Sequence, residues 1–280
     1  MGVGDDWRKT FRPDIPSPAR MYNYFLGGKD HYEVDRKAAE QVIAAIPEVV
    51  VFARENRAFL RRAVRFLVHE RGIRQIIDIG TGLPTEGNVH EVAHEYDPDV
   101  RVVYVDHDPV VLAHGGNMLN GVPGTAIIGR DLLEPATILA DDDLLGLIDF
   151  TEPVAVLLVA VVHFIDDDAQ PAGLIDQLVR PLAPGSYVAL SHATSDSRPQ
   201  EAAAVERIYR GTTTNIHARS RDQVLALLGD DLELVEPGLV WGPSWRPEPG
   251  ALPDGGPEPG ALPGGDPADS NMYAVMARKP

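Results

Sequence analysis

The stretch QIIDIGTG, residues 75–82, decides how the rest of the chain is read. Ile76-Ile77 is a β-branched run that reaches Asp78 and breaks at the turn Gly80-Thr81-Gly82. Two similar units follow. VRVVYVDHDP at 100–109 carries Asp106 after Val102 to Val105, and GTAIIGRDL at 124–132 carries Asp131 after Thr125 to Ile128. Short apolar runs bounded by Gly, Pro or charge read as parallel strands buried on both faces. Each of the three strands therefore ends in a carboxylate.

Working outward, the spacing predicts strands at 75–79, 101–105, 125–129, 154–161 and 186–191, with helices from 86, from 109 and near 168–182 between them. Upstream, residues 30–46 and 48–70 read as helices, the first capped by Asp30 and stopped by Pro47, the second ending near Gly72. Downstream, Pro199 to Tyr209 and Arg221 to Leu228 read as helices, the latter opened by a Ser220/Gln223 capping box. Leu232 to Val235 and Met272 to Ala277 supply two last strands. Alternation of this kind predicts a doubly wound α/β sheet, mostly parallel. Its division is an N-terminal arm with helices over 1–72 and a core over 73–280. A Pro/Gly-rich insertion covers 243–268 and contains the repeat EPGALPDGGP, EPGALPGGDP at 248–267.

In such sheets ligands lie outside the carboxyl ends of the strands, where the strand order reverses, so the three acids face one cleft. Asp78 sits beside a glycine turn that lets a ligand approach the backbone. Asp106 is placed to take both hydroxyls of a ribose, and Asp131 to accept from an exocyclic amine such as that of adenine. Amine, ribose and purine together describe an adenosyl amino acid.

Those residues resemble the class I S-adenosylmethionine-dependent methyltransferases, whose D-x-G-x-G motif stands here as Asp78-Ile79-Gly80-Thr81-Gly82. The resemblance implies a Rossmann-like, seven-stranded sheet with its last strand antiparallel and S-adenosylmethionine as cofactor. Asp78, Gly80, Thr81 and Gly82 would cradle the methionine part, Asp106 with His107 the ribose, and Asp131 with Leu132 the adenine. His163, after the fourth strand, matches the residue that borders methionine and acceptor. The segment PSPARMYNYFLGGKDHYEVDR at 16–36 also resembles the N-terminal signature of an actinobacterial group of methyltransferases. Pro84 stands where many relatives carry a third glycine.

A nicotinamide-dependent oxidoreductase is the main competitor. Its fingerprint needs G-x-G-x-x-G, and the sixth place here is Thr85. Its acid follows by about twenty residues, and Asp106 lies further on. Thr85-Glu86 would also open the next helix with a carboxylate, which repels a diphosphate and tolerates a sulfonium. A non-catalytic cofactor-binding sensor or scaffold is the second alternative.

The chain of 280 residues has 44% hydrophobic content, no cysteine and a formal net charge of −17. Such charge repels nucleic acid. The longest apolar run, Val154 to Val162, is too short to cross a bilayer, and Met1 to Thr10 is polar and charged. The expectation is a cytoplasmic enzyme acting on a small-molecule acceptor, without membrane or metal. His163 and His192 are the candidate general bases, since histidine titrates near neutrality. The run Asp166 to Asp168 reads as a helix cap. Arg54, Arg57, Arg61, Arg62 and Arg65 read as the solvated face of a helix whose apolar side packs inward, with a docking surface for an acidic partner as the alternative. The arm with Arg20, Tyr22, Tyr24, Phe25 and the pair Gly27-Gly28 is predicted to close over the cleft as a lid, with an aromatic ring near the sulfonium and Tyr24 in contact with the cofactor; a packing strap is the other reading.

Overall fold

The computed structural model describes residues 12–247 and 266–280, so the repeat at 248–267 lies almost wholly outside the described residues. Its sheet has the order β3-β2-β1-β4-β5-β8-β6, with β7 beside β8. The strands are β1 Gln75–Ile79, β2 Arg101–Asp106, β3 Thr125–Gly129, β4 Ala155–Val159 and β5 Tyr187–Ala193, all parallel. Then come the short β6 Glu233–Leu234 and β7 Val240–Trp241, and finally β8 Met272–Arg278, which runs antiparallel to β5. The chain winds outward from β1 through β2 to β3 and returns to add β4 on the other side. The strand order thus reverses between β1 and β4, which opens a crevice above their carboxyl ends.

Strand alternation decides what faces what. Ile77, Ile79, Val103 and Val105 enter one core, while Ile76, Val102 and Tyr104 enter the other. Asp78 and Asp106 share the parity of Ile76 and Tyr104, so both acids belong to this second face. That face is covered by α3, Val49–Arg65, through Phe59, Leu60, Ala63 and Val64. A π-turn over Phe66–Glu70 follows it, and Gly72, at φ +70°, ends the unit.

Several boundaries differ from expectation for local reasons. The helix after β1 is α4, Val89–His94, and its cap is Asn88 with Glu91 in a capping box, so Glu86 lies in the preceding loop. The helix after β2, α5 Pro109–Met118, starts as expected, with Asp108 accepting from Val110 N. Two short helices, α6 Pro135–Leu139 and α7 Asp142–Leu145, follow β3. The run Asp166 to Asp168 precedes α8, Pro171–Val179, rather than capping it: Asp167 binds Arg219, and Asp166 pairs with His217. Then come α9 Pro199–Tyr209 and α10 Arg221–Ala226, whose Ser220/Gln223 box is present.

The arginine row is not one face. Arg61 and Arg65 pair with Glu95 and Glu70. Arg62 is buried and donates to the carbonyls of Trp245 and Gly242. Arg57 turns toward the crevice and donates to the Glu86 and Gly87 carbonyls. Arg54 is exposed on the same helix.

The N-terminal segment lies as a strap. Its helices α1, Pro18–Phe25, and α2, Glu33–Ala45, form a third apolar cluster with Ala53 and Tyr209 through Met21, Phe25, Ala39 and Val42. One buried carboxylate pins it. Asp35 accepts from Ser17 N (2.9 Å), Tyr32 N (2.7 Å) and Arg20 Nε (2.7 Å), and Arg20 also donates to the Ile15 carbonyl (2.7 Å). Removing one partner of a buried, hydrogen-bonded pair strands the other charge. Asp35→Ala is expected to cost about 3 to 5 kcal/mol of docking free energy, visible as a lower melting temperature and faster proteolysis between residues 12 and 45; unchanged proteolysis would show that the apolar cluster alone holds the strap.

Candidate functional site

A cavity of about 720 Å3 occupies the crevice, within the range that takes small molecules. Its floor is built by the strand ends. Gly80 and Gly82 both have left-handed backbone, at φ +70° and +67°. A Cβ at Gly80 would collide with the Val161 side chain, whereas nothing stands within 4 Å of one at Gly82. Gly80 therefore packs against the loop after β4, and Gly82 leaves an open approach to the backbone.

Asp106 ties the turn to the neighbouring strand. Its Oδ2 accepts from Gly82 N and its Oδ1 from Asp108 N, both at 2.9 Å. Burial nevertheless raises its pKa above the ordinary carboxyl value, the two amide bonds opposing the shift. Asp78 is also buried; burial pushes its pKa up to about 6, against the lowering effects of the Thr81 hydrogen bond and the Arg57 charge. Asp131 accepts from Leu133 N (2.9 Å) at the end of β3.

A hydrogen-bonded chain joins the other walls. Ala160 N donates to Ser191 Oγ, which donates to Asn56 Oδ1; Asn56 Nδ2 donates to the Tyr22 hydroxyl, which donates to the Ala53 carbonyl. Ala160 itself has φ +55°, an uncommon conformation for a residue with a side chain, held at the cavity by these bonds. Ser17, at the cap position of α1, sends its hydroxyl across the cleft to Asp108 Oδ2 (2.9 Å) instead of capping its own helix. Thus α1 spans the opening from the Asp108 side to the Asn56 side.

Asp78, Gly80, Thr81, Gly82, Asp106, His107, Asp131, Leu132 and His163 all line this one cavity. Tyr24 does not. Its hydroxyl reaches Glu40 and its ring packs edge-on against His31, while Tyr22 and Phe25 line the cavity. Residues two apart on a helix face opposite ways, whereas residues three apart share a face. His192 also misses it: Nδ1 meets the Ala193 carbonyl and Nε2 accepts from Arg219, and burial pushes its pKa down to about 3. Arg219 further donates to Val162 O and Ile165 O, which fixes the loop carrying His163. Burial holds the His163 pKa well below the ordinary value, and Nδ1 accepts from Ala193 N (3.4 Å). A neutral ring so arranged carries its proton on Nε2, which makes it a donor and a poor general base. Among the described residues no cluster of three or more metal-binding side chains occurs, and no helix is long and apolar enough to cross a membrane.

Sequence reading missed Ser17, Asn56 and Arg57, and chose Tyr24 over Tyr22 as the arm residue at the cofactor. The four-residue arginine spacing gave equal weight to members that the structure separates. A phase signal was present for Tyr22, since Ala19, Tyr22 and Phe25 share one helical face.

The sequence model of a family described as S-adenosyl methyltransferase matches residues 7–280. A DUF574 family protein from Streptomyces avermitilis is 39% identical, superposes with a TM-score of 0.88, and the match covers 96% of this chain and 100% of that one. A candidate methyltransferase from Thermobifida fusca is 38% identical with a TM-score of 0.85, over 95% and 97% of the two chains. No curated protein matches the chain.

The two glycines of the turn make a discriminating pair. Gly82→Ala should cost about 1 to 2 kcal/mol for left-handed backbone alone. Gly80→Ala should add an overpacking cost of about 1 to 3 kcal/mol against Val161. Urea denaturation of both variants checks the difference, and equal losses would contradict the packing described.

Proposed function

The chain belongs to the S-adenosyl methyltransferase family and is an S-adenosylmethionine-dependent methyltransferase, and on that premise we propose that it methylates a small-molecule acceptor, at oxygen or nitrogen, inside the cavity under α1. The observation that carries this reading is the convergence of three strand-end acids and a glycine turn on one cavity, whose remaining walls combine rings such as Phe25 and Phe52 with polar groups such as Asn56 and Thr213. When bound, S-adenosylmethionine supplies a methyl group already activated on a sulfonium.

The residues present fit that cofactor. Gly82 offers backbone unobstructed by a side chain, and Asp78 offers a buried carboxylate for an ammonium. Each Asp106 oxygen accepts one backbone amide and, with two lone pairs, keeps capacity for one ribose hydroxyl. Asp131 would take the adenine amine, with Leu132 against the base and His107 beside the ribose. Carboxylates outnumber arginines on the lining, which suits a cation.

Of the arm and helices expected over 1–72, residues 12–72 enter this reading as the cover of the cleft. Through Ser17, Tyr22 and Phe25 the strap would exclude water and hold the acceptor against the donor. The gain from such alignment is large for an in-line displacement that asks for no covalent catalyst. His163 serves as a donor that positions the acceptor.

Two outcomes test the cofactor assignments. Asp106→Ala should weaken S-adenosylhomocysteine binding by about 2 to 3 kcal/mol, a factor of about thirty or more, in calorimetric titration. The ammonium needs the ionised form of Asp78, and the raised pKa of about 6 means that this form is lost as pH falls through that value. Affinity should therefore be flat above about pH 6 and decline by about tenfold per unit well below it, with proton release on binding. Asp78→Asn should flatten that profile; an unflattened decline would assign the titration to another group.

A further inference from the structure

Toward α9 and the strap the cavity wall becomes a succession of rings. Phe52, His163, Phe164 and Tyr209 follow one another with centroid separations of 6.1, 4.4 and 6.0 Å, and all four line the cavity. Two polar atoms interrupt this apolar surface without a partner. Tyr209 is 5% exposed, and no hydrogen bond reaches its hydroxyl from the described residues. Its neighbour across the cavity, Tyr22, has both hydroxyl functions satisfied by Asn56 and Ala53. His163 is 2% exposed; Nδ1 accepts from Ala193 N, and no described residue bonds to Nε2.

Both residues line the cavity, so each open polar atom can take its partner from a ligand bound there, in place of solvent. Both are neutral. Burial raises the Tyr209 pKa, which keeps the phenol protonated, and the His163 ring is uncharged for the reason given above. Charge on this part of the lining disfavours an anionic occupant. Arg57 and Arg130 are the lining cations among the described residues; Arg57 lies at the Asp78 side and Arg130 directly precedes Asp131, so neither stands beside these rings. Of the nearby acids, Glu206 accepts from Ala218 N and Asp166 is paired with His217. A carboxylate would find no counter-charge here, and an aliphatic chain would forgo the stacking that the rings offer.

We infer that the acceptor compartment binds a neutral planar aromatic compound bearing oxygen substituents, held among Phe52, Phe164 and Tyr209, with its oxygens hydrogen-bonded to the Tyr209 hydroxyl and to His163 Nε2. The inference rests on the methyl-transfer reading of the cavity and names its substrate class. Tyr209 is then a specificity-determining residue, which recognises the acceptor and leaves the cofactor untouched.

The test uses the full chain, first titrated to saturation with S-adenosylhomocysteine and then with 2-naphthol, 2-naphthoate and cyclohexanol in separate runs. 2-Naphthol should bind, with the anion and the non-aromatic alcohol weaker by about tenfold or more, and Tyr209→Phe should weaken 2-naphthol by about three- to tenfold. The same variant should keep its S-adenosylhomocysteine affinity within about twofold of the parent, which also reports that it is folded. Failure of the loaded protein to bind 2-naphthol, equal binding of naphthoate or cyclohexanol, or an unchanged affinity in Tyr209→Phe would each overturn the substrate class while leaving the cofactor reading intact. Failure of S-adenosylhomocysteine to bind in the first titration would overturn the parent reading, and the inference with it.

Discussion

The carboxylate of Asp106 is the point on which the site depends. By accepting from Gly82 N on one oxygen and Asp108 N on the other, it joins the turn after β1 to the start of α5. Asp108 then accepts from Ser17 Oγ, so the same cluster reaches the strap. A buried carboxylate is costly unless its lone pairs are satisfied, and backbone amides supply that satisfaction while leaving acceptor capacity for a ligand. The glycine turn, the start of α5 and the strap are therefore set by adjacent bonds. The strand-end acids and the strap are parts of one polar network.

A second network does the same for the opposite wall. Ser191, Asn56 and Tyr22 link β5 to α1 through α3, and Arg219 clamps the loop after β4 with four acceptors that include His192. His192 is held as a neutral acceptor in that clamp, and its depressed pKa follows from its burial. Of the rings between the two networks, Tyr22 and His163 carry structural hydrogen bonds, whereas the Tyr209 hydroxyl has none among the described residues. Polar groups at the ends hold the geometry, and aromatic surface lines the cavity between them.

The five parallel strands were legible because buried β-branched runs bounded by turn residues have few other readings, and the last antiparallel strand followed from the family resemblance. The strand-end acids were legible for the same reason, since strand parity puts Asp78 and Asp106 on one face. What escaped lies in long-range pairing. The Ser17–Asp108 bond spans 91 positions and the Ser191–Asn56 bond 135, and no local pattern announces either. The two-residue β7 is too short to show periodicity. Tyr24 was preferred to Tyr22 because α1 has only eight residues, too few for its phase to be read with the helix start undetermined. The Thr85-Glu86 helix start failed because Asn88 offers a better cap, one that Glu91 completes. Arg57 was hidden among arginines whose partners lie on other segments.

The most direct test of the coupling between donor site and strap is hydrogen exchange of the full chain with and without S-adenosylhomocysteine. The account predicts that the amides of Gly80 to Gly82, Asp108 and residues 17–28 gain protection together at the same ligand concentration. Protection confined to the strand ends, with the strap exchanging as before, would contradict the claim that one network sets both.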